Sequence, residues 1–174
     1  EVYEEDRTLR WSLTAVDTVW EDHAMTAVLA ALLLGVSEEQ ITEQLQSFIP
    51  PRHRLEYIGS FGGTEYWNDS AATVPESVLR SVESFSGRKI HLITGGTDKN
   101  LSPRLFHEIL QHCASVHLLA GSFTDKLLAE LPGRFSGPFS TMEDAVSSAK
   151  EASQGEAGVI LLSPGAASFE YFLN

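Results

Sequence analysis

The sequence predicts an α/β fold in which a mainly parallel sheet is covered by helices on both faces. Two observations carry this. From residue 51 onward, short apolar runs rich in Val, Ile and Leu alternate with amphipathic helical runs, the rhythm of strand-helix-strand units. The pair Pro50-Pro51 breaks a helix and is followed at once by a strand pattern, which predicts a boundary between residues 1–50 and 51–174.

Taken in order, residues 1–20 mix acids with aromatic and β-branched side chains and predict short strands or loop. Asp22 is a usable N-cap for an apolar helix over Met25 to Leu34, which is expected to be largely buried, with Gly35 as its left-handed stop. Ser37 with Gln40 forms a capping box, and Ile41, Leu45 and Phe48 share one face of a second helix. Leu55 to Ser60 and Thr64 to Trp67 flank Gly62-Gly63, a hairpin signal. Thr73 and Glu76 suggest a capping box, with Val78, Val82 and Phe85 on the buried face of the helix that follows. Ile90 to Thr94 reads as a strand ending in Gly95-Gly96, Ser102-Pro103 as a helix start, and Val116 to Ala120 as the next strand. Ser122 is placed as the cap of a helix through Leu131, stopped by Pro132-Gly133, and Ser140 with Glu143 as the cap of another. Val159 to Leu162 is a short, wholly apolar strand.

With 174 residues, 43% of them apolar, the chain can bury a substantial core. A formal net charge of -12 without clustered Lys and Arg excludes a nucleic-acid backbone as partner and disfavours an acidic membrane surface. The longest apolar run, Ala27 to Val36, is too short to span a bilayer core of about 30 Å, and no signal pattern opens the chain, so a cytoplasmic location is expected. Cys113 is the only cysteine, which rules out an intrachain disulfide. The six histidines show no metal-ligand spacing, and no metal site is expected within the chain. Glu1 in place of a methionine, and the apolar stretch Phe169 to Leu173 at the other end, suggest a fragment.

Four polar constellations fall at junctions between elements, where binding groups collect. Arg52-His53-Arg54 offers guanidinium donors suited to phosphate, or else a solvated basic linker. Asn68-Asp69-Ser70 follows a strand and could orient a sugar hydroxyl, or simply make a turn. In Gly95-Gly96-Thr97-Asp98-Lys99-Asn100, two glycines can turn amides toward an anion while Lys99 adds a full charge; a plain turn is the alternative. The segment is neither a Walker phosphate loop nor a dinucleotide fingerprint, which argues against a Rossmann oxidoreductase. Ser163-Pro164-Gly165-Ala166-Ala167-Ser168 would let a ligand approach closely, though tight packing explains small residues as well.

In this order the four motifs resemble those of the muramyl ligases: Pro51 and His53-Arg54-x-Glu56, Asn68-Asp69-Ser70, Gly95-Gly96-x-x-Lys99, and Ser163-Pro164-x-x-Ala167-Ser168. The Asn-Asp-Ser form is similar to the glutamate-adding branch. The resemblance implies a Rossmann-like carboxy-terminal ligase domain at 51–174, preceded at 1–50 by the helical tail of a central ATP-binding domain. It also implies an ATP- and Mg2+-dependent amide-bond-forming ligase whose partners are UDP-N-acetylmuramoyl-L-alanine and glutamate, working as a monomer in peptidoglycan synthesis. Carried over by position, His53, Arg54 and Asp69 would contact ATP, while Thr73, Lys99, Ser168 and the Phe169 amide would hold glutamate.

Departures from the family pattern sit at Ala71, where a lysine usually stands, and at Ala24 and Ala27, in place of two asparagines near the adenine. They keep two alternatives in view: a non-catalytic anion- or nucleotide-binding module of the same fold, and a related ligase that takes L-glutamate. No catalytic residue is expected within the chain, since the family's phosphate loop, metal ligands and carboxylate-activating lysine lie upstream of the matched region. The chain alone is therefore expected to be inactive.

Overall fold

The computed structural model describes residues 2–4, 7–9, 20–131, 133 and 135–167. The chain divides into two compact units, Glu1–Pro50 and Pro51–Asn174.

In the first unit, β1 (Val2–Glu4) pairs antiparallel with β2 (Arg7–Leu9). Helix α1 runs Glu21–Leu33 with Trp20, not Asp22, at its N-cap. At its other end Gly35, at φ 78°, lets its own amide reach Leu32 O and lets Val36 N reach Ala31 O, the paired bonds of a left-handed stop. Helix α2 (Glu38–Gln46) carries the expected capping box of Ser37 and Gln40. Of its predicted face, Ile41 is buried, and Phe48 packs edge-on against Trp20 with ring centroids 5.6 Å apart. The expectation that α1 is largely buried is corrected: Ala24 and Val28 are buried, but Leu33 and Leu34 are 80% and 84% exposed. Its apolar residues run around most of the helix, and α2 can cover only one stripe of it.

The second unit is a six-stranded sheet in the order β3-β4-β8-β5-β6-β7. Its strands are β3 (Glu56–Phe61), β4 (Thr64–Asn68), β5 (Ile90–Gly95), β6 (Cys113–Leu119), β7 (Ser136–Phe139) and β8 (Gly158–Leu162). Only the β3–β4 hairpin, turning at Gly62-Gly63, is antiparallel. The helices are α3 (Pro75–Glu83), α4 (Phe106–His112, after a 3-10 turn at Pro103–Leu105), α5 (Ser122–Glu130) and α6 (Met142–Ser153).

Handedness dictates where the helices lie. The steps β4 to β5, β5 to β6 and β6 to β7 all move the same way across the sheet, so right-handed crossovers put α3, α4 and α5 on one face. The step from β7 back to β8 reverses direction, which places α6 on the other. Two core clusters follow. Val78, Val82, Phe106, Ile109, Phe123 and Leu127 pack on Ile90, Leu92, Val116, Leu118, Val159 and Leu161; Ala145 and Ala149 of α6 pack on Ile93, Leu119 and Ile160. The last strand, β8, thus lies between β4 and β5.

Several local expectations need correcting. Thr73 and Glu76 do not form a capping box: Val74 is the N-cap, because Pro75 takes the first helical position and forces the residue before it to extended geometry, here φ -140° and ψ 149°. Helix α6 is capped by Thr141, which accepts from Asp144 N, and not by Ser140 with Glu143. Ser122 is the first residue of α5 and not its cap; Gly121 holds that position, and the Ser122 hydroxyl accepts from Asp98 N instead. Strand β7 was not foreseen, since Gly137-Pro138 in a four-residue edge strand carries turn chemistry.

Candidate functional site

The four sequence motifs meet at the carboxyl ends of three neighbouring strands, β4, β8 and β5, where open parallel sheets bind ligands. The hinge segment Pro51–Leu55 is tied to the end of β4. His53 and Leu55 adopt left-handed φ values of 65° and 45°, which bend the chain so that His53 O accepts from Ala71 N at 3.0 Å and Leu55 N donates to Asp69 Oδ1 at 3.3 Å. Asn68 Oδ1 accepts from Ser70 N, so its Nδ2 is the atom that donates to His53 Nδ1, at 3.0 Å. His53 Nδ1, on a side chain that is 55% exposed, also lies 3.3 Å from Glu56 Oε2. Glu56 braces the bend, accepting from His53 N at 3.0 Å and facing Arg52 at 3.8 Å.

Asp69 stands at the centre of this junction and is only 1% exposed. Its Oδ2 accepts from Ser81 Oγ of α3 at 2.6 Å and from Ser163 Oγ, just past β8, at 2.8 Å; its amide donates to Leu162 O. Burial pushes the carboxyl above its usual range, against the pull of the Ser81 and Ser163 hydroxyls, the Leu55 amide and the nearby Arg54 charge. One carboxylate therefore ties hinge, helix and post-β8 loop together.

The loops after β8 and β5 are joined as well. Gly95 N and Thr94 Oγ1 donate to Pro164 O, and Thr97 and Ala167 exchange both backbone bonds in an isolated antiparallel bridge. Gly96 makes this closeness possible: it sits at φ 130°, and a Cβ there would lie 2.6 Å from Ala167 O. Gly96→Ala is expected to cost roughly 1–3 kcal/mol and to break the bridge. Amide exchange at Thr97 and Ala167 checks this; unchanged protection at both would rule it out.

Lys99 is exposed on the loop after β5, and Thr73 is half-buried just before α3. Ser168 and Phe169 lie outside the described residues. Sequence reasoning missed Ser81 and Ser163 as partners of Asp69. A signal existed for Ser81, a hydroxyl set among Val78, Val82 and Phe85 on the apolar stripe of α3.

Over 140 residues, 78% of its length, the chain is 39% identical to the UDP-N-acetylmuramoylalanine--D-glutamate ligase of Treponema pallidum (strain Nichols), of which this covers 26%. The chain belongs to the muramyl ligase family. A second muramyl ligase relative, the UDP-N-acetylmuramoyl-L-alanine--L-glutamate ligase of Xanthomonas oryzae pv. oryzae (strain MAFF 311018), is 38% identical over 156 residues, 83% of the chain and 33% of that protein. No family model matches. Among solved structures, the UDP-N-acetylmuramoylalanyl-D-glutamyl-2,6-diaminopimelate--D-alanyl-D-alanyl ligase of Acinetobacter baumannii superimposes with a TM-score of 0.59 at 20% identity, over 85% of the chain and 33% of that structure. This muramyl ligase shares the fold of the chain. The chain spans between 26% and 37% of the length of the first curated relatives it matches.

Among the described residues, no group of three or more His, Cys, Asp or Glu could hold a metal ion. No helix among them is long and apolar enough to cross a membrane.

Proposed function

We propose that the protein carrying this chain is an ATP-dependent ligase that joins glutamate to UDP-N-acetylmuramoyl-L-alanine, with residues 51–174 as its carboxy-terminal domain and residues 1–50 as the tail of its ATP-binding domain. ATP gives its terminal phosphoryl group to the acceptor carboxylate and leaves as ADP; the amine of glutamate then attacks the acyl carbon, forming the C–N bond as the C–O bond breaks and inorganic phosphate departs. The part read for the residues of this chain is binding and orientation.

Arg54 and His53, on a hinge bent toward the end of β4, suit the ATP phosphates: an always-charged planar guanidinium next in the chain to an exposed imidazole. Asp69, buried with one donor on Oδ1 and two on Oδ2, serves ATP by holding that hinge, and Oδ1 keeps an acceptor site for a ribose hydroxyl. Glutamate brings two carboxylates, and Lys99 offers one of them a full positive charge. Thr73, Ser168 and the Phe169 amide complete the reading as donors around the same substrate. The observation that carries it is the Thr97–Ala167 bridge, which joins the Lys99 loop to the segment leading into Ser168 and Phe169.

In the whole ligase, Lys99→Ala is expected to raise the KM for glutamate roughly thirtyfold, the equivalent of about 2 kcal/mol for a lost charge-assisted bond, while the KM for ATP stays within twofold. An unchanged glutamate KM would remove Lys99 from the site. A second reading, use of L-glutamate, is favoured by Ala71 and by the L-glutamate-adding relative from Xanthomonas. The same assay run with each enantiomer, with and without Ala71→Lys, separates the two: preference for D-glutamate that the lysine leaves untouched would discard the L-glutamate reading.

A further inference from the structure

We propose that Lys126, acting through Asp98, is a positioning residue that sets where Lys99 stands. The proposal rests on the reading of Lys99 as a carboxylate-binding group.

The loop from Gly96 to Leu101 is held on two flanks. Toward β8 it is held by the Thr97–Ala167 bridge. Toward α5 it is held at three points of that helix. Ser122 Oγ accepts from Asp98 N at 3.0 Å, Phe123 N donates to Gly96 O at 2.9 Å, and Lys126, one turn beyond Ser122 on the same face, pairs with Asp98 Oδ2 at 3.3 Å. Lys126 Nζ also donates to Leu101 O at 2.7 Å, while Asp98 Oδ1 accepts from Leu101 N at 3.0 Å. The lysine-aspartate pair therefore satisfies both backbone groups of Leu101, the residue at which the loop turns toward α4. Its side chains are only 32% and 21% exposed, so it is better shielded than an ordinary surface ion pair.

Lys99 lies between these anchors, directly after Asp98 and just before Asn100, which adopts a left-handed φ of 61°. Two lysines thus divide the work. Lys126 spends its donors on the loop itself, fixing the backbone on either side of Lys99, and Lys99 is displayed at the strand end. Without the Lys126 charge, the Asp98 carboxylate loses its partner on α5 and Leu101 O its donor; the Ser122 bond still holds Asp98 N, but residues 99–101 can shift. A displacement of about 1 Å at a binding group can cost as much as a hundredfold.

The test compares Lys126→Met, which keeps an apolar stem of similar length, with Lys126→Arg and Lys99→Ala in the whole ligase. Lys126→Met is expected to raise the glutamate KM about tenfold with the ATP KM unchanged, and Lys126→Arg to recover most of the loss. The double variant Lys99→Ala with Lys126→Met should be no worse than Lys99→Ala alone, because Lys126 acts only by way of Lys99. A glutamate KM left unmoved by Lys126→Met while Lys99→Ala raises it overturns the positioning role and spares the reading of Lys99; so does a double variant whose effects multiply. A glutamate KM unmoved by Lys99→Ala overturns both. Should Lys126→Met not fold, Asp98→Asn removes the same ion pair, keeps an acceptor for Leu101 N, and is judged by the same comparisons.

Discussion

Replacing Asp69 with Ala is expected to lower stability by about 3 kcal/mol, because it strands the Leu55 amide and the hydroxyls of Ser81 and Ser163 in a site closed to water. The loss has two parts of opposite sign. A buried carboxylate is itself a cost, shown by a carboxyl held above its usual range, and removing it returns that cost. Stranded donors outweigh the return: Ser81 has a second acceptor, Ser77 O, whereas among the described residues Leu55 N and Ser163 Oγ have no acceptor other than Asp69. Asp69→Asn keeps an acceptor for Leu55 N and a shape that both hydroxyls can meet, so its loss should be about 1 kcal/mol. Denaturant midpoints for the two variants check the order. Equal losses for Ala and Asn would mean that charge, and not the hydrogen-bonded junction, is what matters at this position.

Acid should destabilise the fold before most carboxylates titrate. Beneath α6, His91 Nδ1, Ser115 Oγ, His117 Nε2 and Nδ1, and Ser148 Oγ form a continuous hydrogen-bonded chain with steps of 2.7, 2.7 and 2.9 Å. His117 is fully buried; burial, with the neighbouring His91, pushes it from 6.5 to about 4. His91 is lowered too, by burial and then by Lys89, against the raising effect of Glu156. A folded-state value below the unfolded one means that stability is fully present above pH 6.5. As pH falls from there toward 4, the unfolded chain takes up a proton that the folded chain refuses, and about 3 kcal/mol is lost. Asp69 works the other way: its raised value favours the folded state as the carboxyl protonates, which offsets part of the loss. Measured between pH 7 and 4, the stability of His117→Gln should fall less steeply than that of the parent. Parallel curves would assign the acid sensitivity to other groups.

The elements that sequence reading placed correctly are those decided by a single local rule. Ile90 to Gly95, built around Ile90, Leu92 and Ile93, lies wholly buried; Gly35 and Gly62-Gly63 stop and turn the chain at left-handed φ values. Errors arose where two adjacent residues could each serve. Ser140 and Thr141 are both good caps, and so are Thr73 and, once Pro75 fixes the start, the extended backbone of Val74. At the site, each motif was visible because it interrupts a hydrophobic pattern at a strand end. Their convergence was not, because it depends on β8 entering between β4 and β5, and no residue within β8 announces its neighbours. Ser163 drew notice as part of a small-residue run, whereas its bond to Asp69 spans 94 positions and belongs to the folded sheet alone.

That same placement of β8 has a consequence for how the domain is made. The strand emerges from the ribosome after every other strand of its sheet, yet it occupies an interior position, and both β4 and β5 depend on it for one line of backbone bonds. A nascent chain that has not reached residue 158 can hold β5, β6 and β7 together but must wait with the flanks of β4 and β5 open, the kind of edge that recruits other chains. Closure joins residues 64–68 to 158–162, a long loop to draw in before any contact rewards it. Synthesis that stalls between residues 95 and 158 should therefore leave a product that calls on chaperones, and completion of this one strand should release it.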